Sequence, residues 1–475
     1  MPKIKTKKIH ADGGMKQMLA IALPMVVSQA CDMVMIFTDR LYLAKLGPNL
    51  MNAAMGGGLT CFMMTAFFIG LTGYSSALVA QYLGARRKSS CAVVASQAFI
   101  FSFIAYIPVI ACIPLAHMLF ERMGVNAEQL APQKIYFNIL IFGVIISLLR
   151  HNLACFFSGI GRTGVVMSAS IIAMTVNVIL NYIFVFGKFG FPAMGIQGSA
   201  LGTILGGVSG LIVLALTYFG RHVREEFAVI KAFRFDPEIA RKLLRYGSPA
   251  GFEMLFTIIA FNAMVLVFHS HSPVTATAAT IMFNWDLVSF VPLIGIEIGV
   301  TSLVGRFMGA GMPDKAHSSV MAGFKIGMLY SLSILALFLF FTGALVDLFR
   351  PDVQSGVFDS SRDLAMFMIR VAGIYVAVEA MLMVFIGALR GAGDTIWAMT
   401  VSVSIHWMMV TALVIIMKIL HLSPEIGWLS MVLLFVVLSL IVFLRYKSGK
   451  WKHMRVIEYE PALEVNDTFH EPPDI

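Results

Sequence analysis

Five carboxylates, Asp32, Asp39, Glu253, Asp286 and Glu379, stand inside apolar stretches long enough to cross a bilayer. Hydrocarbon cannot solvate a carboxylate. Its presence costs roughly 2.5–3.5 kcal/mol on insertion scales, so such a group faces a protein interior or a wet cavity. The chemistry open to it there is the reversible capture of a proton, a metal cation or an organic cation. Asp32 and Asp39 lie in the first apolar run, 19–46, seven residues apart and hence on one helical face. At ~1.5 Å per residue, Asp39 falls about two-thirds of the way across. This face is expected to line a cavity in which Asp39 binds a cation or a proton. Arg40 is adjacent and positioned to neutralise it.

These groups need helices to hold them. The chain has 475 residues, 59% hydrophobic and 13% charged, with mean hydropathy +0.84. Soluble chains carry about 25% charge, so this one is an all-α polytopic membrane protein whose main partner is the lipid bilayer. Runs of spanning length recur at about 18–46, 53–83, 91–119, 133–157, 164–187, 196–220, 243–269, 275–305, 320–346, 364–389, 396–420 and 424–444, which makes twelve spans. The basic N-terminal segment precedes an apolar run too long for a signal peptide, so that run is expected to remain as a helix. The formal charge of +9 does not point to nucleic acid, because the cations are sorted by loop. Arg86, Arg87, Lys88, Arg162, the segment 221–245, Lys315, Arg390 and the C-terminal Lys and Arg residues fall on one side. By the positive-inside bias both termini are cytoplasmic. The five cysteines are scattered through apolar runs without ligand spacing, and read as small buried hydrophobes rather than disulfides or a metal site.

The chain repeats itself. LVAQYLGA (78–85) matches LVGRFMGA (303–310) at a shift of 225, which also places Pro24 on Pro249 and Gly70 on Gly295; SGIGRT (158–163) matches RGAGDT (390–395) at 232. Each unit holds six spans, an even number, so the halves are parallel repeats about an axis along the membrane normal, as in transporters. The expected organisation is an N-terminal lobe over 1–222, a basic cytoplasmic linker over 223–245, a C-terminal lobe over 246–447 and a disordered tail over 448–475. The paired prolines are candidate hinges.

FTDRLYLAKLG (37–47), LVAQYLGA, GIGRT (159–163), NVILNYIFVFGKFG (177–190), LVGRFMGAG (303–311) and GALRGAGDT (387–395) together resemble the multidrug and toxic compound extrusion (MATE) family, in order and across nearly the whole chain. The resemblance implies two six-helix lobes in a V and export of diverse, often cationic compounds against Na⁺ or H⁺, with no cofactor. It places Asp39 in the coupling-ion site, with Asn177 and Asn181 facing it from the fifth helix and Thr203 adding a hydroxyl from the sixth. If the coupling ion is Na⁺, Asp39 is its ligand. Glu379 matches a tenth-helix acid that contributes to cation or drug binding. Glu253 falls one turn before the seventh-helix acid of some relatives, whose position here is Thr257, and Asp286 matches no family position. Together Glu253, Asp286 and Glu379 are the candidate substrate or second-cation site. Arg150 and His151 are expected to pair with an acid in the lobe core, and His269 and His271 to be interfacial.

The leading reading is therefore a secondary antiporter, monomeric, in a bacterial inner membrane, exporting organic cations and other drugs by alternating access. The alternative is a flippase or exporter of a lipid-linked precursor or a specific metabolite. A flippase favours a basic cavity, and the intramembrane charges here are mostly acidic. A membrane enzyme is disfavoured, since no HExxH, paired-His or nucleophile-elbow pattern occurs and the chain is a two-fold repeat, and primary ATP-driven transport is disfavoured because no Walker sequence occurs.

Overall fold

In the computed structural model the described residues are 13–122, 127–350 and 356–457. Among them, twelve helices are long and apolar enough to cross a membrane: α1 (Met15–Ala44), α2 (Asn49–Gly84), α3 (Lys88–Ala111), α4 (Glu128–Gly159), α5 (Thr163–Phe186), α6 (Ile196–Phe219), α7 (Pro237–His269), α8 (Pro273–Gly309), α9 (Pro313–Phe340), α10 (Gly356–Ala392), α11 (Thr395–Ile419) and α12 (Pro424–Lys447). Local chemistry fixes several boundaries. Asp236 caps α7, accepting the Glu238 and Ile239 amides at 3.1 Å, with Pro237 as first helical residue. Ser272 caps α8 in the same way through the Thr275 amide. Gly187 ends α5 in the left-handed region at φ 65°.

The helices form two lobes, α1–α6 and α7–α12, which meet where α1 packs on α8 and α2 on α7. The repeat is visible atom by atom along this seam. A Cβ on Gly84 would overlap the Arg306 carbonyl, and one on Gly309 would overlap the Gln81 carbonyl. Both pairs are related by the same shift of 225. Only glycine lets the ends of α2 and α8 cross this closely. Each lobe also borrows the start of the other's first helix. Met18, Ile21 and Ala22 of α1 belong to the core of the second lobe, and Ile239 and Leu243 of α7 to that of the first.

The seam is sealed at the end of the molecule that carries both described termini. Gln81 Nε2 donates to the Gly391 carbonyl at 2.8 Å, Ser302 Oγ to the Ser158 carbonyl at 2.8 Å, and Tyr74 stacks on Tyr246 at 5.8 Å. The matched loops after α4 and α10 are tied down by ion pairs of opposite sense: Arg162 to Glu226 at 2.6 Å, and Asp394 to Arg445 at 2.8 Å.

Three features differ from the sequence reading. Much of the expected linker, 223–245, is helical, because α7 begins at Pro237 and its cap is Asp236. The tail does not leave the protein at 448. Trp451 is buried against Tyr446, and Val456 and Ile457 join the core of the first lobe; residues 458–475 lie outside the described part. Arg390 is not a loop cation but lies inside α10, which runs three residues past the apolar stretch.

Candidate functional site

Asp39 lies in the last third of α1, five residues before its end at Ala44, and is 5% exposed. Asn177 and Asn181 stand one turn apart on α5, so both amides point the same way. Each donates its Nδ2 to Asp39 Oδ1, Asn177 at 3.3 Å and Asn181 in a shorter contact. Thr203 Oγ1, from α6, donates to Asp39 Oδ2 at 2.7 Å. Asn177 also lies 3.4 Å from the Thr203 hydroxyl. Three neutral dipoles from two helices thus hold one buried formal charge. Arg40 is exposed, and Asp39 takes its hydrogen bonds from the amides and the hydroxyl rather than from the neighbouring guanidinium.

This approach of α5 and α6 rests on glycines that sequence reasoning passed over. A Cβ on Gly202 would overlap Asn181 Oδ1, and one on Gly206 would stand 2.8 Å from Asn177 Cβ. Gly202, Gly206 and Gly210 recur every fourth residue, the small-residue spacing that lets membrane helices meet closely. That spacing was the available signal.

The donor set suits a monovalent cation or a proton. The Oδ1 atoms of Asn177 and Asn181 are buried without a hydrogen-bond partner. Turning an amide by 180° exchanges its nitrogen and oxygen, so the same residues offer either donors to a bare carboxylate or oxygens to a cation beside it. With a proton on Asp39, an amide oxygen accepts it. Among the described residues no group of three or more His, Cys, Asp or Glu side chains is placed to hold a metal ion.

Pro24 lies below this site on α1. It has no N–H for the Ala20 carbonyl, and Thr163 Oγ1 from α5 approaches that carbonyl at 3.4 Å. Asp32 pairs with Arg150 at 3.1 Å, which names the partner left open by the sequence, while His151 Nε2 lies 3.5 Å from Cys155 Sγ.

Glu253 has different partners from Asp286 and Glu379. Glu253, on α7, is 3.0 Å from the guanidinium of Arg390, which also binds Glu297 of α8 in a shorter contact. This triad links α7, α8 and α10. His406 of α11 bonds to the Ser402 carbonyl at 2.7 Å and lies within electrostatic reach of Glu253. Glu379 instead accepts from Tyr375 at 3.2 Å and has Asp286 as its interacting acid. Asp286 Oδ1, Glu379 Oε2 and Thr257 Oγ1 are buried without hydrogen-bond partners. Neither acid has an ion-pair partner among the described residues. The triad was hidden because Arg390 had been counted with the loops.

A helical membrane protein of two equivalent lobes with carboxylates buried inside them has the architecture of a transporter. A family model, MatE, matches the chain twice, over 24–183 and 249–417, the two matches starting at Pro24 and Pro249. The chain belongs to the MatE family. It is 23% identical over 458 residues to the probable multidrug resistance protein NorM of Thermotoga maritima, covering 95% of this chain and 96% of that one. It is 27% identical over 410 residues to the protein of the same name from Bacillus subtilis, with 82% and 86% covered. Its fold is that of an outward-facing multidrug resistance MATE transporter of the MOP superfamily: TM-score 0.83, 22% identity, 94% and 99% covered. It likewise matches a MOP superfamily transporter from Pyrococcus furiosus with a binding pocket of reverse polarity: TM-score 0.83, 22% identity, 92% and 96% covered.

Proposed function

We propose that this protein is a secondary antiporter that exports organic cations and other amphipathic drugs in exchange for Na⁺ or H⁺. The observation that carries this reading is the Asp39 carboxylate, buried on α1 and held by hydrogen bonds from Asn177, Asn181 and Thr203. The relatives' name, multidrug resistance protein, supports the substrate class.

In this reading both termini are cytoplasmic, as the Lys and Arg bias favours, and the sealed end faces the cytoplasm. The conformer shown then takes the coupling ion from outside. Occupancy neutralises Asp39. A buried unpaired charge costs several kcal/mol, so neutralisation lets the upper part of α1 repack against its lobe, with Pro24 and Pro249 as hinges. The cavity contracts, substrate leaves, and the sealed end opens. Asp286 and Glu379 hold the cationic substrate or a second cation, and the Arg390 triad fixes Glu253. The units that rock are the lobes 1–222 and 246–447 of a monomer.

The test is efflux of a lipophilic cationic dye from proteoliposomes under a Na⁺ gradient and a pH gradient imposed separately. The expected result is efflux driven by one gradient and lost in Asp39→Asn. Equal gradient-driven efflux from the variant would refute the assignment of Asp39.

A further inference from the structure

Along α7 near the sealed end, Arg241, Leu244, Arg245, Ser248 and Phe252 form one stripe. With Ile396 and Met399 of α11 it borders a cavity of about 670 Å³ floored by Pro249. We propose that this groove binds one anionic phospholipid from the adjoining leaflet, with its phosphate on Arg241 and Arg245 and an acyl chain along Leu244, Phe252 and Ile396.

Three observations carry the assignment. The first is spare positive charge. The neighbouring Lys242 is paired with Glu238 at 2.5 Å, whereas Arg241 makes no ion pair or hydrogen bond among the described residues and Arg245 only rests over the Tyr246 ring at 5.7 Å. The second is exposed apolar surface beside and beyond the arginines in the same groove. Leu244, Phe252 and Ile396 are 44%, 43% and 55% exposed: Leu244 stands between the two arginines, Ile396 is in the first turn of α11, and Phe252 lies seven residues beyond Arg245 towards the membrane interior. From Arg241 to Phe252 the helix rises about 16 Å, close to the roughly 15 Å half-thickness of the hydrocarbon core. A free phosphate would use the arginines and leave the apolar slot empty, whereas a phospholipid fills both. The third is asymmetry. The equivalent face of α1 carries Lys16, Ala20 and Leu23 where α7 has Arg241, Arg245 and Ser248. The two-guanidinium site therefore belongs to the second lobe and is not a by-product of the repeat.

The test uses the full-length, delipidated protein in a neutral maltoside detergent, titrated with phosphatidylglycerol or phosphatidylcholine. Bound lipid is counted by native mass spectrometry. Wild type is expected to retain one tightly held phosphatidylglycerol and no phosphatidylcholine. Arg241→Ala/Arg245→Ala should weaken that lipid by about tenfold or more, since each cation at a lipid surface contributes appreciably. Arg221→Ala/Arg224→Ala, which removes the same charge outside the groove, should retain it. Ile396→Trp, which keeps every charge and fills the apolar slot, should also lose it, and covers the case in which the double arginine variant does not fold. Unchanged binding in Ile396→Trp, equal loss in both arginine variants, or complete displacement by excess inorganic phosphate would each overturn the proposal, the last in favour of a free-phosphate site.

Discussion

A single carboxylate is a useful coupling group only if its surroundings tolerate both of its charge states. Asp39 meets that condition because its partners are amides and a hydroxyl, which reorient, rather than a cation, which would hold the charge permanently. Asp32 shows the contrast: Arg150 pairs with it. The geometry of the Asp39 nest depends on Gly202, so Gly202→Val is expected to push Asn181 away from Asp39. Overpacking of this kind costs about 1–3 kcal/mol, which a thermal-unfolding assay in detergent would register as a lower midpoint. Ion dependence of transport should be lost with it. A Gly202→Val variant with wild-type ion dependence would show that the α5–α6 contact is not needed. At this scale the sequence made Asp39, Asn177 and Asn181 legible, because a charge in an apolar run and two amides four apart are local patterns. The triad of Glu253, Glu297 and Arg390 was not legible. Its members come from three helices, and a hydropathy reading ended α10 before the arginine.

Element lengths were legible to within several residues, while the caps and crossings were not. Asp236 looked like one more residue in a basic linker, and its role as the cap of α7 depends on backbone direction. The connection between α9 and α10 has its own anchor. Hydrogen bonds from Arg362, then from Arg350, hold the half-buried Asp347 carboxyl down at about 2. A depressed folded pKa adds stability that is present above the unfolded value near 3.9 and is lost as pH falls through the folded one. Protection of residues 342–348 from hydrogen exchange should therefore stay constant from neutral pH down to about 4, and Asp347→Asn should reduce it throughout that range. A midpoint of loss between pH 5 and 7 would mean that another group anchors this segment. The effect on global stability should be small, because the pair is solvent-screened.

For the whole molecule, the duplication was legible from matched motifs, and the parity of six spans gave parallel lobes. The crossing of α1 and α7 into each other's cores was not, since nothing in a hydropathy profile says which lobe a helix start joins. The described C-terminal segment bridges the same seam: Trp451 packs on Tyr446 of the second lobe, and Val456 and Ile457 pack in the first. Val456→Ser/Ile457→Ser should weaken the sealed end. Spin labels at Arg86 and Lys315, one on each lobe, should then give a broader and longer distance distribution than in the parent. An unchanged distribution would mean that the seam is held by α1–α8 and α2–α7 alone. The central claim concerns coupling, and coupling is reciprocal. The most direct measurement loads vesicles with a lipophilic cationic dye and asks whether its outward gradient drives Na⁺ or H⁺ inward with no cation gradient imposed. The account predicts cation uptake by the parent and none by Asp39→Asn. Dye efflux without movement of either cation, or equal cation uptake by the variant, would contradict it.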